Sequence, residues 1–330
     1  MNHQIDPPTY EDIAAAAARL KGKARTTPLI ESFGASETCN ARVFLKAEPL
    51  QHTGSFKFRG AFNLISQLSA EQIAKGVVAY SSGNHAQAVA KVASIGNIKA
   101  TIVMPRDAPQ IKIEATRNFG AQTVLYDRYT ESREDIAAII VKESGATLVP
   151  PFDHPHTIAG QGTVGLEIAE QLAELDCVPD AVLVPCSGGG LVAGIATAVQ
   201  HHFPDTQIYV VEPEGFDDTA RSLASGVKET ADSKAKSICD ALLVPTPGQL
   251  TFAINQQLLA GGYKVTDAMV KRAMAFAFLQ EKLVVEPGGA VALAALLNRV
   301  DDFSGKTVVA VLSGGNVDPA TFSKAISETA

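Results

Sequence analysis

The chain of 330 residues carries 28 Lys and Arg against 35 Asp and Glu, a formal net charge of −7, and is 46% hydrophobic. That balance excludes an intrinsically disordered chain, disfavours a nucleic-acid or anionic-membrane surface, and gives length for about two folding units. The four cysteines (Cys39, Cys177, Cys186, Cys239) form no CxxC pair, no signal-peptide pattern opens the chain and no long apolar run occurs. A cytoplasmic protein without membrane span, disulfide framework or cysteine-held zinc is expected.

In chain order, Thr9 followed by Asp12 marks the start of a first helix and Gly22 its end. Strand-like runs follow at 41–48, 76–83, 99–105, 121–127, 145–152, 180–188, 207–215 and 305–315, separated by amphipathic stretches such as TVGLEIAEQLAEL. Apolar strands alternating with helices predict an α/β protein with two doubly wound parallel-sheet domains. The Pro- and His-rich PPFDHPHT, 150–157, is the expected crossing between them. Residues 1–69 and 154–330 are read as a large cofactor-binding unit and 70–153 as a small one that closes on substrate.

Ligands of such sheets gather at the carboxyl ends of strands. Three strand-end loops there are rich in small residues: YSSGNHA (80–86), PCSGGGLVAG (185–194) and LSGGN (312–316). The second runs into a helical stretch and reads as a phosphate cradle of backbone N–H groups, without the Lys of a Walker A loop. Lys57 lies in QHTGSFKFRG, between two phenylalanines and two residues before Arg59. Apolar neighbours and a nearby arginine both lower a lysine's pKa, which suits an amine that must be neutral. A phosphate cradle with such a lysine points to pyridoxal 5′-phosphate.

The motifs EPLQHTGSFKFRGA (48–61), SSGNHAQAVA (81–90), CSGGGLVAGIA (186–196), EPGGAVALAAL (286–296) and LSGGN (312–316) resemble the fold type II pyridoxal-phosphate enzymes. Within these the chain is similar to the threonine/serine dehydratases and serine racemases. The resemblance implies that Lys57 binds the cofactor covalently and then acts as base at the substrate Cα. It gives Phe56 a place against the pyridine ring, Asn84 the ring hydroxyl, and Ser313 the ring nitrogen. Ser187, Gly188, Gly189, Gly190 and Leu191 would hold the phosphate. Ser81, Ser82, Asn84 and His85 offer donors to the substrate carboxylate, and Ser82 would serve the face of the cofactor opposite Lys57.

EPEGFDD (212–218) has two carboxylates at a spacing that suits a hard cation. The resemblance implies Mg²⁺ or Ca²⁺ held by Glu212, the Phe216 carbonyl and Asp218. The chain departs from the family pattern at Ala241, where most relatives carry glycine, and by Arg128 and Arg133, either of which would accept a second substrate carboxylate if it faced the site. The implied activity is dehydration of an L-threonine- or L-serine-type β-hydroxy amino acid to a 2-oxo acid and ammonia, by a homodimer. The alternatives are a serine racemase and an ammonia-lyase for 3-hydroxyaspartate or another substituted serine.

Overall fold

The structure, a computed structural model, describes residues 6–108 and 110–328; residues 1–5, part of the opening read as lacking a signal peptide, lie outside them. The strands are β1 Leu29–Glu31, β2 Arg42–Ala47, β3 Val77–Tyr80, β4 Ala100–Pro105, β5 Gln122–Tyr126, β6 Thr147–Leu148, β7 Ala181–Pro185, β8 Gln207–Pro213, β9 Gly261–Val265 and β10 Thr307–Leu312. They form one sheet in the order β1-β2-β10-β7-β8-β9 and another in the order β5-β4-β3-β6. Every pair is parallel except the edge pair β1 and β2. The α/β fold class is the expected one.

Alternation along the strands explains the layers. On one face of the larger sheet, Val43, Leu45, Leu183, Val308 and Ala310 pack with Met274 and Leu293 from helices Asp267–Leu279 and Val291–Leu297. On the other, Phe44, Val182, Val184, Val309 and Val311 meet Ile168 and Ile195 from helices Pro155–Glu174 and Gly190–His202. Both faces are dry, which is why these strands read as nearly continuous apolar runs. The smaller sheet is covered likewise: Val77, Ala79, Ile102 and Met104 pack against helices Lys57–Ile65 and Asn84–Ile95, while Val78 and Val103 pack against helix Arg133–Ser144.

Thr9 and Asp12 form a reciprocal capping box on helix Tyr10–Leu20, and Gly22 lies just beyond its end at φ +71°. The chain leaves the larger sheet after β2 through residues 48–56 and returns after β6 through 149–154 into helix Pro155–Glu174. Among the described residues no helix is long and apolar enough to cross a membrane.

Candidate active site

One cleft gathers Phe56, Lys57, Ser81, Ser82, Asn84, His85, Ser187, Gly188, Gly189, Gly190, Leu191 and Ser313, at the carboxyl ends of strands from both sheets. Lys57 opens helix Lys57–Ile65, and the segment before it is pinned: Phe56 N–H donates to Ser313 O at 3.2 Å and Ser55 bridges to Gly314. Just upstream, β-branched Thr53 is held at φ +59°, with Asn316 Nδ2 donating to its carbonyl at 2.7 Å. Such a conformation is costly for threonine and persists only where the surroundings impose it.

The Lys57 ammonium donates to Pro151 O at 2.7 Å and stands 5.0 Å from the centre of the Phe56 ring. Burial brings its pKa down from 10.5 to about 8. The expected help from Arg59 is absent. Arg59 is fully buried on the far side, bonded to both oxygens of Glu48 (2.7 and 2.9 Å) and both of Glu167 (2.6 and 2.9 Å). Its charge is consumed there, and desolvation alone loosens the Lys57 proton.

The cradle between β7 and helix Gly190–His202 is built by what its carbonyls do. Gly188 O accepts from Thr251 Oγ1 at 2.6 Å and Gly189 O from Asn255 Nδ2 at 3.4 Å. In a trans peptide the N–H points opposite to the C=O, so the following amides turn toward the cleft. Gly189 has φ +88°, and a Cβ on Gly188 would lie 2.4 Å from the Phe152 ring. The helix that follows has no side-chain cap on its first N–H groups. Uncapped amides with the positive end of a helix dipole suit a phosphate, so the residues present fit the group.

Helix Asn84–Ile95 presents a second uncapped N-terminus to the cleft, beside Ser81 and Ser82. The Ser81 hydroxyl accepts from Gly83 N–H at 3.1 Å, shaping the turn. His85 Nε2–H donates to Val149 O at 2.8 Å; burial and then Lys57 push its pKa to about 3, so it stays neutral. Its ring is committed to structure, and the backbone is what it offers the cleft. Asn84 Nδ2 donates to Glu286 Oε1 and its Oδ1 accepts from Asn316 Nδ2 at 2.8 Å, which fixes the amide's orientation. Glu286 belongs to the EPGGA motif but has no role in the reading above; it is buried, and burial raises its pKa to about 7.

Arg128, Arg133 and Ala241 also line the cleft. Arg133 lies over the Tyr80 ring at 5.1 Å and pairs with Glu134 at 2.8 Å, while Arg128 pairs with Asp107 at 2.8 Å. Both arginines thus stand on the cleft wall, each held by a carboxylate. Glu212, Phe216 and Asp218 lie apart from it, behind the cradle. Thr219 links the two places, donating through its hydroxyl to Ser187 O at 3.4 Å and through its N–H to Glu212 at 3.2 Å. Burial raises Glu212 to about 8, with Asp218 adding to it, and burial raises Asp218 to about 7. Both Asp218 oxygens are buried without a hydrogen-bond partner. Two crowded carboxyls, one unsatisfied, fit a cation. Among the described residues no group of three or more His, Cys, Asp or Glu gathers to hold one, so backbone carbonyls and water would have to complete the shell.

The Pyridoxal-phosphate dependent enzyme family matches residues 20–314. The L-threo-3-hydroxyaspartate ammonia-lyase of Saccharomyces cerevisiae is 41% identical over 320 residues, 97% of each chain. The serine racemase of Schizosaccharomyces pombe is 39% identical over 328 residues, 99% of this chain and 100% of that one. The solved structure of maize serine racemase aligns with a TM-score of 0.90 at 37% identity, covering 98% of both chains. A partly buried lysine in the cleft, a cradle of free amides and these likenesses agree: the chain belongs to the pyridoxal-phosphate-dependent enzymes, in the family of ammonia-lyases and racemases.

Proposed function

We propose that this protein is an ammonia-lyase that dehydrates a β-hydroxy amino acid to a 2-oxo acid and ammonia, preferring a dicarboxylic substrate such as 3-hydroxyaspartate to L-serine or L-threonine. The observation that carries the preference is the pair Arg128 and Arg133 on the cleft wall. Their present partners are exposed carboxylates, with Glu134 and Asp107 side chains 53% and 49% exposed. Exposed pairs are weak, so a substrate carboxylate in the cleft exchanges for them at small cost and gains a bidentate contact. The name of the yeast relative, an ammonia-lyase for L-threo-3-hydroxyaspartate, supports the same reading.

When bound, pyridoxal phosphate supplies the electron sink for charge developing at the substrate Cα. Lys57 Nζ would hold the cofactor and take the Cα proton, and burial, which lowers the free amine's pKa to about 8, suits that task near neutrality. Phe56 would pack against the ring, Asn84 would bond its hydroxyl, Ser313 its nitrogen, and Ser187 to Leu191 its phosphate. The N–H groups that open helix Asn84–Ile95, with Ser81 and Ser82, orient the α-carboxylate. Ser82 would serve the face away from Lys57, the group a racemase needs. Glu212, Asp218 and the Phe216 carbonyl would hold Mg²⁺ or Ca²⁺, which would stiffen the back of the cradle. Residues 70–153 close as a small unit on the rest and exclude water, and the protein works as a cytoplasmic homodimer.

The test compares L-threo-3-hydroxyaspartate, L-serine and L-threonine with wild type and Arg133→Met, scoring 2-oxo acid. Loss of a charged hydrogen-bond pair should raise KM for the dicarboxylate roughly 10- to 100-fold while L-serine changes little. A wild type that favours L-serine, with equal losses on both substrates in the variant, defeats the dicarboxylate reading.

A further inference from the structure

Helix Gln110–Asn118 is bound to the smaller sheet's layer through Ile113. From it the Lys112 side chain, 5% exposed, leaves that layer and crosses the cleft. Its ammonium meets Asp240 Oδ2 at 2.6 Å and stands 3.7 Å from Glu286 Oε2. Asp240 opens the turn Asp240–Leu242, whose neighbours Cys239 and Leu242 are packed in the core of the larger sheet. The lysine stem also lies against the SSGNH loop, since a Cβ on Gly83 would fall 2.7 Å from Lys112 Cδ. Glu286 in turn accepts from Asn84, and its Oε2 has no hydrogen-bond partner, leaving Lys112 as the cation beside it. One side chain therefore touches the loop, its own helix and two segments of the opposite wall.

We propose that Lys112 is a positioning residue that ties the two walls of the cleft together and so sets how tightly the 81–85 loop closes on substrate. Lys112 and Glu286 are buried and their charges poorly screened, so the tie is stiffer there than a surface pair. Burial works against the ammonium, but Glu286 and Asp240 outweigh it and the lysine remains charged. The tie touches neither Lys57 nor the phosphate cradle, so its loss acts on substrate capture more than on the chemical step. The inference rests on the cleft being the substrate site proposed above.

The experiment uses full-length holoenzyme and the variants Asp240→Asn, Lys112→Met and the double. Hydrogen exchange over residues 81–95 and 110–118 is followed without substrate, and KM and kcat are measured on the amino acid turned over best. Asp240→Asn, which removes the charge from the tie at its solvent-facing end, should speed exchange about 3- to 10-fold. It should raise KM at least about 5-fold with kcat held within about 3-fold. The double should be no worse than Lys112→Met alone, because both substitutions act on one link. Wild-type exchange and KM in Asp240→Asn overturn the tie, as do losses that multiply in the double. A large fall in kcat at unchanged KM overturns it too, by assigning Lys112 to chemistry. Should Lys112→Met fail to fold, Asp240→Asn decides alone. If no amino acid is turned over, the lyase reading fails while the exchange data still judge the tie.

Discussion

Replacing Lys57 by methionine should make the cofactor-free protein more stable near neutral pH, by an amount that the structure fixes in sign. Burial lowers the Lys57 pKa from 10.5 to about 8. The unfolded chain therefore binds this proton more tightly than the folded one, and stability rises with pH wherever that holds. The cost of enclosing the amine is fully present below about pH 8, declines through the interval up to about pH 10.5, and is gone above it. At about 1.36 kcal/mol per unit the whole effect is about 3 kcal/mol. The same shift leaves roughly a quarter of the amine neutral near pH 7.5, against about 0.1% for an ordinary lysine. Urea unfolding of both proteins, at intervals from about pH 7 to about pH 10, isolates the lysine in the difference, because all other groups are shared. The stability gap should narrow by about 1 kcal/mol for each unit above pH 8. A gap that stays flat, or widens with pH, refutes the claim that desolvation prepares this amine.

Arg59→Met strands the buried Glu48 carboxylate and should cost about 3–5 kcal/mol in denaturant unfolding, while the folded fraction keeps its cofactor absorbance; a loss below about 1 kcal/mol would show the network to be dispensable. Ser82→Ala should suppress enantiomer exchange on the order of a hundred-fold with dehydration nearly intact, and equal losses in both reactions would leave Ser82 a positioning role only. Millimolar Mg²⁺ or Ca²⁺ should raise the wild-type thermal midpoint, since a ligand of the folded state stabilises it, and Asp218→Asn should abolish the response. An unresponsive wild type removes the cation from the site.

The runs that read most plainly as strands are those whose both faces are covered, since burial on two sides demands continuous apolar sequence; VVAVL in β10 and AVLVP in β7 are examples. β1, a three-residue antiparallel edge, and β9, which begins with Gly261 and Gly262, carry no such demand and went unread. The run at 145–152 forms a ladder only at Thr147–Leu148, because Pro150 and Pro151 have no N–H to donate. In the site, residue type and local setting announced Lys57 and the cradle. What stayed hidden were long-range partners. Arg59 looked like a neighbour of Lys57 because two residues separate them, yet a helix start turns the two side chains apart, and its partner Glu167 lies 108 residues on. Lys112, Asp240 and Glu286 likewise meet only through the fold.

The two passages of chain between the sheets lie side by side, as the hydrogen bond from Lys57 to Pro151 O shows. In the closure proposed above they would act as adjacent pins on which the smaller sheet hangs like a door. Any swing moves an atom in proportion to its distance from the pins. Arg128 follows the outermost strand, β5, three strands from β6, where the chain returns, so in the proposed closure it would sweep a wide arc while the Lys57 nitrogen would scarcely shift. The proposed base would thus stand at the fulcrum, and Arg128, proposed to meet a second substrate carboxylate, would ride on the free edge.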